Sequence, residues 1–161
     1  MRYFADYGRD PAYIWRFDLG EAGAGISGDL GSHWAYIATW LYGEVTAATA
    51  VFGHVVPRAP RPDGGPFEAA EDSAMILLEF ASGAIGQVHL DYVQRPPVHR
   101  LSVWGDAGRA EWDYHAGTLV WTHCDGQTQT DRVPEIFDRN DMFLEETRHF
   151  LECVRQRRAT Q

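Results

Sequence analysis

Two periods of apolar residues run through this chain. From Leu30 onward, Leu30, Trp34, Ile37, Ala38 and Leu41 recur at helical spacing, which predicts a helix over residues 29–43. Ser27 or Asp29 can cap its start with a side-chain oxygen, and Gly43 supplies a stop. From Val45 the period drops to two. VTAATAVFGHVV reads as a strand, and the proline- and glycine-rich stretch 57–70 as a loop. Five further strands follow, DSAMILLEF, AIGQVHLDYV, HRLSVWG, RAEWDYH and TLVWTHC, then a weaker one, QTQTDRV. Ser82-Gly83, Asp106-Ala107-Gly108, Ala116-Gly117 and Asp125-Gly126 are short turn signals, and turns this short join antiparallel neighbours. The expected arrangement is therefore a meander. Asp138 to Arg158 is again helical, with Phe143, Thr147, Phe150, Leu151 and Val154 on one face. Residues 1–28 read as irregular, with a short strand between Arg2 and Tyr7.

Helix, many strands, helix is the order of an α+β domain, here a single one over residues 1–161. The sheet is expected to be open and mostly antiparallel, with helices packed on one face. In DSAMILLEF both faces are apolar: Ala74, Ile76, Leu78 and Phe80 on one, Met75 and Leu77 on the other. Two helices cover one face. A second copy of the chain is the expected cover for the other, making that face an oligomer interface and the protein a homo-oligomer.

Composition narrows the classes. Apolar residues make up 45% of the 161 and aromatic residues 13%, which suits a packed core. No apolar run approaches the roughly 18 residues of a membrane span. The polar, acid-bearing MRYFADYGRD does not read as a signal peptide. Cys124 and Cys153 form no framework and read as reduced thiols, so a cytoplasmic location is expected. A net charge of −9 argues against a nucleic-acid partner. Every basic residue is an arginine, which removes lysine chemistry from the chain.

GAGISG, residues 23–28, matches G-x-G-x-x-G. That pattern marks a dinucleotide site only inside a βαβ unit. Here antiparallel strands follow instead, so the stretch reads as a glycine loop that turns the chain into the helix. Asp29 and His33 are four apart and share one helix face. A carboxylate beside an imidazole can orient it and raise its basicity for acid/base work. On spacing alone, a capping Asp with a surface His describes the pair at least as well. A metal site completed by a strand histidine is a further alternative.

The surroundings of that pair carry more. GAGISGDLGSHWAYIATWLYGEV resembles the Gfo/Idh/MocA oxidoreductase family through Gly25, Gly28, Asp29, Gly31, His33, Trp40, Gly43 and Val45. Trp15-Arg16 is similar to a Trp-Arg pair that members carry upstream. EDSAMILLEFASGAIGQV resembles a family strand pair through Asp72, Leu78, Phe80, Gly83 and Gly86. VWGDAGRAEWD resembles a family hairpin through Gly105, Gly108 and Asp113, and FLEETRHFLECV the closing helix.

The resemblance implies a C-terminal substrate-binding domain whose Rossmann partner binds NAD or NADP. It implies His33 as acid/base on a hydroxyl of a sugar, amino sugar or polyol, and Asp29 as its orienter or as a hydroxyl ligand. Tyr92, Gln94 and Arg95 fall where family substrates are contacted, although a proline-ordered surface loop accounts for them equally. Arg16 suits a substrate anion or a surface ion pair. The family's catalytic lysine, in an E-K-P motif, has no counterpart in this sequence. The cofactor site and that lysine are expected on a separate Rossmann domain, and this chain alone is expected not to turn over. Two alternatives stay open: a non-catalytic sugar-binding or oligomerisation module, and a metal-dependent isomerase-like site at Asp29 and His33.

Overall fold

The computed structural model describes residues 1–133 and 138–160. In chain order they form β1 (Arg2–Phe4), α1 (Leu19–Ala22), α2 (Ile26–Asp29), α3 (Gly31–Tyr42), β2 (Val45–Gly53), β3 (Ser73–Phe80), β4 (Ile85–Asp91), β5 (Val98–Gly105), β6 (Gly108–Asp113), β7 (Thr118–His123), β8 (Thr128–Arg132) and α4 (Arg139–Gln156). The strands make one open eight-stranded sheet in the order β2-β3-β4-β1-β5-β6-β7-β8. It is antiparallel throughout except where β1 runs parallel to β4. The architecture is α+β, as expected.

The meander expectation fails at one place. β4 and β5 do not pair; β1 lies between them, with Arg2 opposite His89 on one side and Arg100 on the other. The tight hairpins turn at glycines of positive φ, such as Gly83 and Gly126. The β4–β5 connection has no such residue and contains Pro96 and Pro97, which lack the N–H groups a tight hairpin uses. It spans a gap one strand wide, and β1 occupies part of it.

The core lies between α2 and α3 and the β3–β4 half of the sheet. Trp34 and Ala38, one turn apart on α3, pack with Ala74, Leu78, Phe80, Val88 and Leu90. Burying a side chain of this size stabilises by about 1.5–3 kcal/mol. Leu41, placed on the same stripe by spacing, stands 39% exposed, because the stripe runs off the covered area at the end of α3. On α4, Cys153 is buried while Phe150, Leu151 and Val154 are exposed.

The segment before α1 is tied down electrostatically. Asp72 accepts from the amides of Val55 and Val56 at 2.8 and 3.0 Å and from Arg58 at 3.0 Å. The Arg58 guanidinium lies 3.7 Å over the Phe17 ring and donates to the Asp10 carbonyl at 2.7 Å. Both partners of this ion pair are about 1% exposed. It therefore fixes the proline-rich loop and the Trp15–Phe17 turn to the start of β3, and with them Arg16. Across the sheet, Val51, Leu77, Ile85 and Trp104 share the opposite, uncovered face and are each more than half exposed. Among the described residues no helix is long and apolar enough to cross a membrane.

Candidate functional site

Neither Ser27 nor Asp29 caps the helix. The chain turns at Gly25, and the free amides of that turn meet a carboxylate from across the fold. Glu71 accepts from the Gly25 amide at 3.1 Å, the Ser27 amide at 3.1 Å and the Ser27 hydroxyl. Burial penalises this carboxylate, yet the three hydrogen bonds outweigh it and hold its pKa below the ordinary value. Gly25 is there for close approach: a Cβ would sit 2.0 Å from the Glu71 carbonyl oxygen. GAGISG is thus an anion-binding turn whose anion is the protein's own Glu71. Its donors are engaged, and it does not fit a dinucleotide pyrophosphate.

That turn delivers Asp29 to the end of α2 and His33 to the first turn of α3. The Asp29 side chain is 37% exposed and His33 is exposed, so both sit on an open rim. Asp29 Oδ2 accepts from Arg16 at 2.8 Å and from the hydroxyl of Tyr92. Tyr92 is buried just beyond β4, and its hydroxyl also bonds Tyr7, whose ring centroid is 4.7 Å away. Burial, then the Asp29 carboxylate, raises the Tyr92 pKa, so its hydroxyl stays a neutral donor. Burial also raises that of Tyr7. The result is a fixed row, Tyr7, Tyr92, Asp29, Arg16, beside an exposed imidazole. Among the described residues the carboxylate is hydrogen-bonded to Tyr92 and Arg16 and not to His33.

The remaining sequence candidates separate. Gln94 folds back onto Asp91 Oδ2 at 3.1 Å, and Arg95 pairs with Asp6 at 2.8 Å. Tyr92 and Arg16 join the Asp29 row; Gln94 and Arg95 hold the β4–β5 connection. Two residues escaped sequence reasoning: Tyr7, which lies in no periodic segment, and Glu71, whose signal was only an acid at the head of an apolar strand. Among the described residues no group of three or more His, Cys, Asp or Glu side chains is arranged to hold a metal ion.

An open, mostly antiparallel sheet with covering helices that present an Asp and a His defines the class, an α+β domain. The sequence model of the GFO/IDH/MocA C-terminal domain matches residues 1–111. The chain belongs to the Gfo/Idh/MocA family, as its C-terminal domain. Levoglucosan dehydrogenase of Pseudarthrobacter phenanthrenivorans is 32% identical over 103 residues, 53% of this chain and 26% of that protein. Among solved structures, levoglucosan dehydrogenase in complex with NADH and levoglucosan superposes with a TM-score of 0.83 at 24% identity, over 95% of this chain and 47% of that one. An inositol dehydrogenase homolog with NAD+ from Azotobacter vinelandii gives 0.66 at 20% identity, over 82% and 35%. The chain spans about half the length of the first of these structures or less, and about a quarter of the curated relative.

Proposed function

We propose that this chain is the substrate-binding half of an NAD(P)-dependent oxidoreductase that acts on a hydroxyl of a sugar, amino sugar or polyol. The observation that carries the reading is the Asp29 carboxylate, held by Arg16 and Tyr92 on an open rim one turn before the exposed His33. His33 takes or returns the hydroxyl proton. Asp29, with one oxygen engaged, offers the other to a neighbouring hydroxyl. Arg16 and Tyr92 are positioning residues that keep the carboxylate aimed. The nicotinamide, held by a separate Rossmann domain, supplies the hydride acceptor. The relatives named for levoglucosan, and solved with levoglucosan or L-sorbose bound, support a compact polyhydroxylated substrate. Residues 1–161 form a single such domain, and copies of it associate through the uncovered sheet face.

The test is a titration of the chain with levoglucosan, L-sorbose and myo-inositol, followed by NMR at the His33 ring protons and the Asp29 amide. Saturable shifts at both are expected for at least one ligand, with the Asp29 amide shift lost in His33→Ala and the His33 ring shift weakened in Asp29→Asn. Shifts absent for all three ligands, or an unchanged Asp29 amide shift in His33→Ala together with an unchanged His33 ring shift in Asp29→Asn, would sink the reading.

A further inference from the structure

Further along the helix-covered face, the described residues form a cavity of about 540 Å³. Its walls include Trp112, Tyr114, His115, Gly117, Val133 and Met142. The sheet connects it to the Asp29 rim. One level of the ladder runs from Leu90 on β4 through Tyr3 on β1 and His99 on β5 to Tyr114, which follows β6. Residues paired across strands share a face. Leu90 and Tyr3 pack with the core, so this level lies on the face beneath α3. Gly117 and Val133 continue it: the Gly117 amide donates to the Tyr114 carbonyl at 3.2 Å, and the Val133 amide to the Gly117 carbonyl at 2.9 Å.

This level is filled at one end and open at the other. Leu90 lies under the α2–α3 junction, where a Cβ at Gly31 would stand 3.3 Å from it. Trp34, the residue after His33, packs on His99 with ring centroids 5.5 Å apart, and His99 packs on Tyr114 at 4.9 Å. At Gly117 the level carries no side chain. Within 4 Å, a Cβ added there would meet Val133 alone, at 3.7 Å. The Trp112 and Tyr114 rings, 6.0 Å apart and inclined at 68°, stand on one side of this opening, and Met142 of α4 closes over it.

The cavity and the rim differ in chemistry. The rim offers a carboxylate, a guanidinium and an imidazole to hydroxyl groups. The cavity offers aromatic rings, an isopropyl group and a thioether, and the polar side-chain atoms of its described lining belong to rings, those of Trp112, Tyr114 and His115. Such walls suit an apolar group, and a methionine adapts its shape to a ring. We infer that the cavity receives an aromatic aglycone: the sugar that presents its hydroxyl to His33 is the glycosyl part of an aryl glycoside. This rests on the reading of Asp29 and His33 given above and names the substrate class. Length agrees with it. From Leu90, beneath the rim, to Tyr114 is three strand spacings, about 14 Å. A lone sugar ring at Asp29 falls short of that span, and a sugar bearing a ring on its glycosidic oxygen covers it. A second sugar ring is the poorer occupant, because hydroxyl groups set against Val133 and Met142 lose their water without gaining a partner.

The experiment titrates the chain with the methyl and phenyl β-glycosides of glucose and galactose, with cellobiose and with phenol. NMR is read at the Gly117 amide, the Met142 methyl group and the His33 ring. Phenol is expected to move Gly117 and Met142 and to leave His33 alone. For at least one sugar, the phenyl glycoside should move all three and bind about tenfold or more tighter than its methyl counterpart. Ala116→Trp puts a ring into the cavity from an exposed turn position, so the fold should persist. It should abolish the phenyl advantage and leave methyl glycoside binding unchanged. Equal affinity of phenyl and methyl glycosides overturns the inference, as does a phenyl advantage that survives Ala116→Trp. Cellobiose matching the phenyl glycosides at Gly117 and Met142 makes the second unit a sugar and also overturns it. Methyl glycoside shifts at His33 with no phenyl advantage remove this inference and leave the reading of the rim standing, whereas a His33 ring silent to every sugar removes both.

Discussion

Tyr92 and Arg16 converge on one oxygen of Asp29: a buried neutral phenol and a half-exposed guanidinium both donate to Oδ2. The two donors differ in what they contribute. Tyr92→Phe keeps the packed ring and deletes a bond to a charged acceptor, which is expected to cost about 1–2 kcal/mol in urea unfolding. Arg16→Gln removes an ion pair whose side chains are 44% and 37% exposed, and its stability cost should stay below about 1 kcal/mol. Both variants should weaken sugar binding, because each loosens the carboxylate. A stability loss in Arg16→Gln exceeding that in Tyr92→Phe would contradict this division.

The glycine turn should be intolerant at one position and forgiving at another. Gly25→Ala places a Cβ 2.0 Å from a backbone oxygen that has no freedom to move, since the Gly25 and Ser27 amides bind the same residue's carboxylate. Loss of the folded state is expected. Gly23 has φ +77 with nothing within 4 Å of an added methyl, so Gly23→Ala meets only backbone strain, about 1 kcal/mol. Circular dichroism and urea midpoints of the two variants check the contrast.

These features mark where sequence reasoning ends. The helix over Trp34 and Ala38 and the strands from β2 to β8 were legible because apolar period and turn glycines are local signals. The position of β1 was not: a three-residue strand has little pattern of its own, and its place follows from a gap left by a proline-bearing connection elsewhere. Asp29 and His33 were legible through their motif. The groups that hold Asp29 and its turn come from afar, Tyr92 from 63 residues away and Glu71 from 46 beyond Gly25, and no spacing rule reaches that distance. Arg16 was legible as a residue, while its partner was not.

Acid should destabilise the domain over two pH windows. His99 is ringed by Tyr3, Trp34, Trp112 and Tyr114 at centroid distances of 4.9 to 5.5 Å. Burial, then the charge of His115, lowers its pKa below 6.5, with Asp113 opposing. A depressed pKa means the unfolded chain binds the proton more readily. The stability His99 contributes is thus complete above 6.5 and is lost as the pH falls from there through its folded value. Glu71 follows the same sign lower down: its contribution is complete above 4.5 and is lost as the pH falls through its depressed folded value. Urea unfolding at a series of pH values should show stability declining below 6.5 and again below 4.5. His99→Phe should reduce the upper stage to the part contributed by His89, whose pKa burial also lowers, and leave the lower one. A decline confined to the region below 4.5 in the unmodified chain would contradict the role given to His99.

The uncovered sheet face makes the last prediction. Val51, Leu77, Ile85 and Trp104 lie on it at 71%, 54%, 85% and 67% exposure, a spread of apolar side chains in water that a second copy of the same face can cover. Charged residues lie among them: Glu79 neighbours Leu77 and Ile85, and Arg109 lies 5.2 Å over the Trp104 ring. Such a mixed face matches an interface with an apolar centre and a polar rim. Leu77→Lys and Ile85→Arg each place a charge at that centre, where two symmetry-related copies would meet like with like. Because both positions face away from the core, the helical circular dichroism and the thermal midpoint of a monomeric unit should hardly change. Sedimentation equilibrium should therefore show an oligomer for the unmodified chain and a lower mass for either variant. A unit mass of 18.2 kDa for the unmodified chain at every concentration would exclude the association.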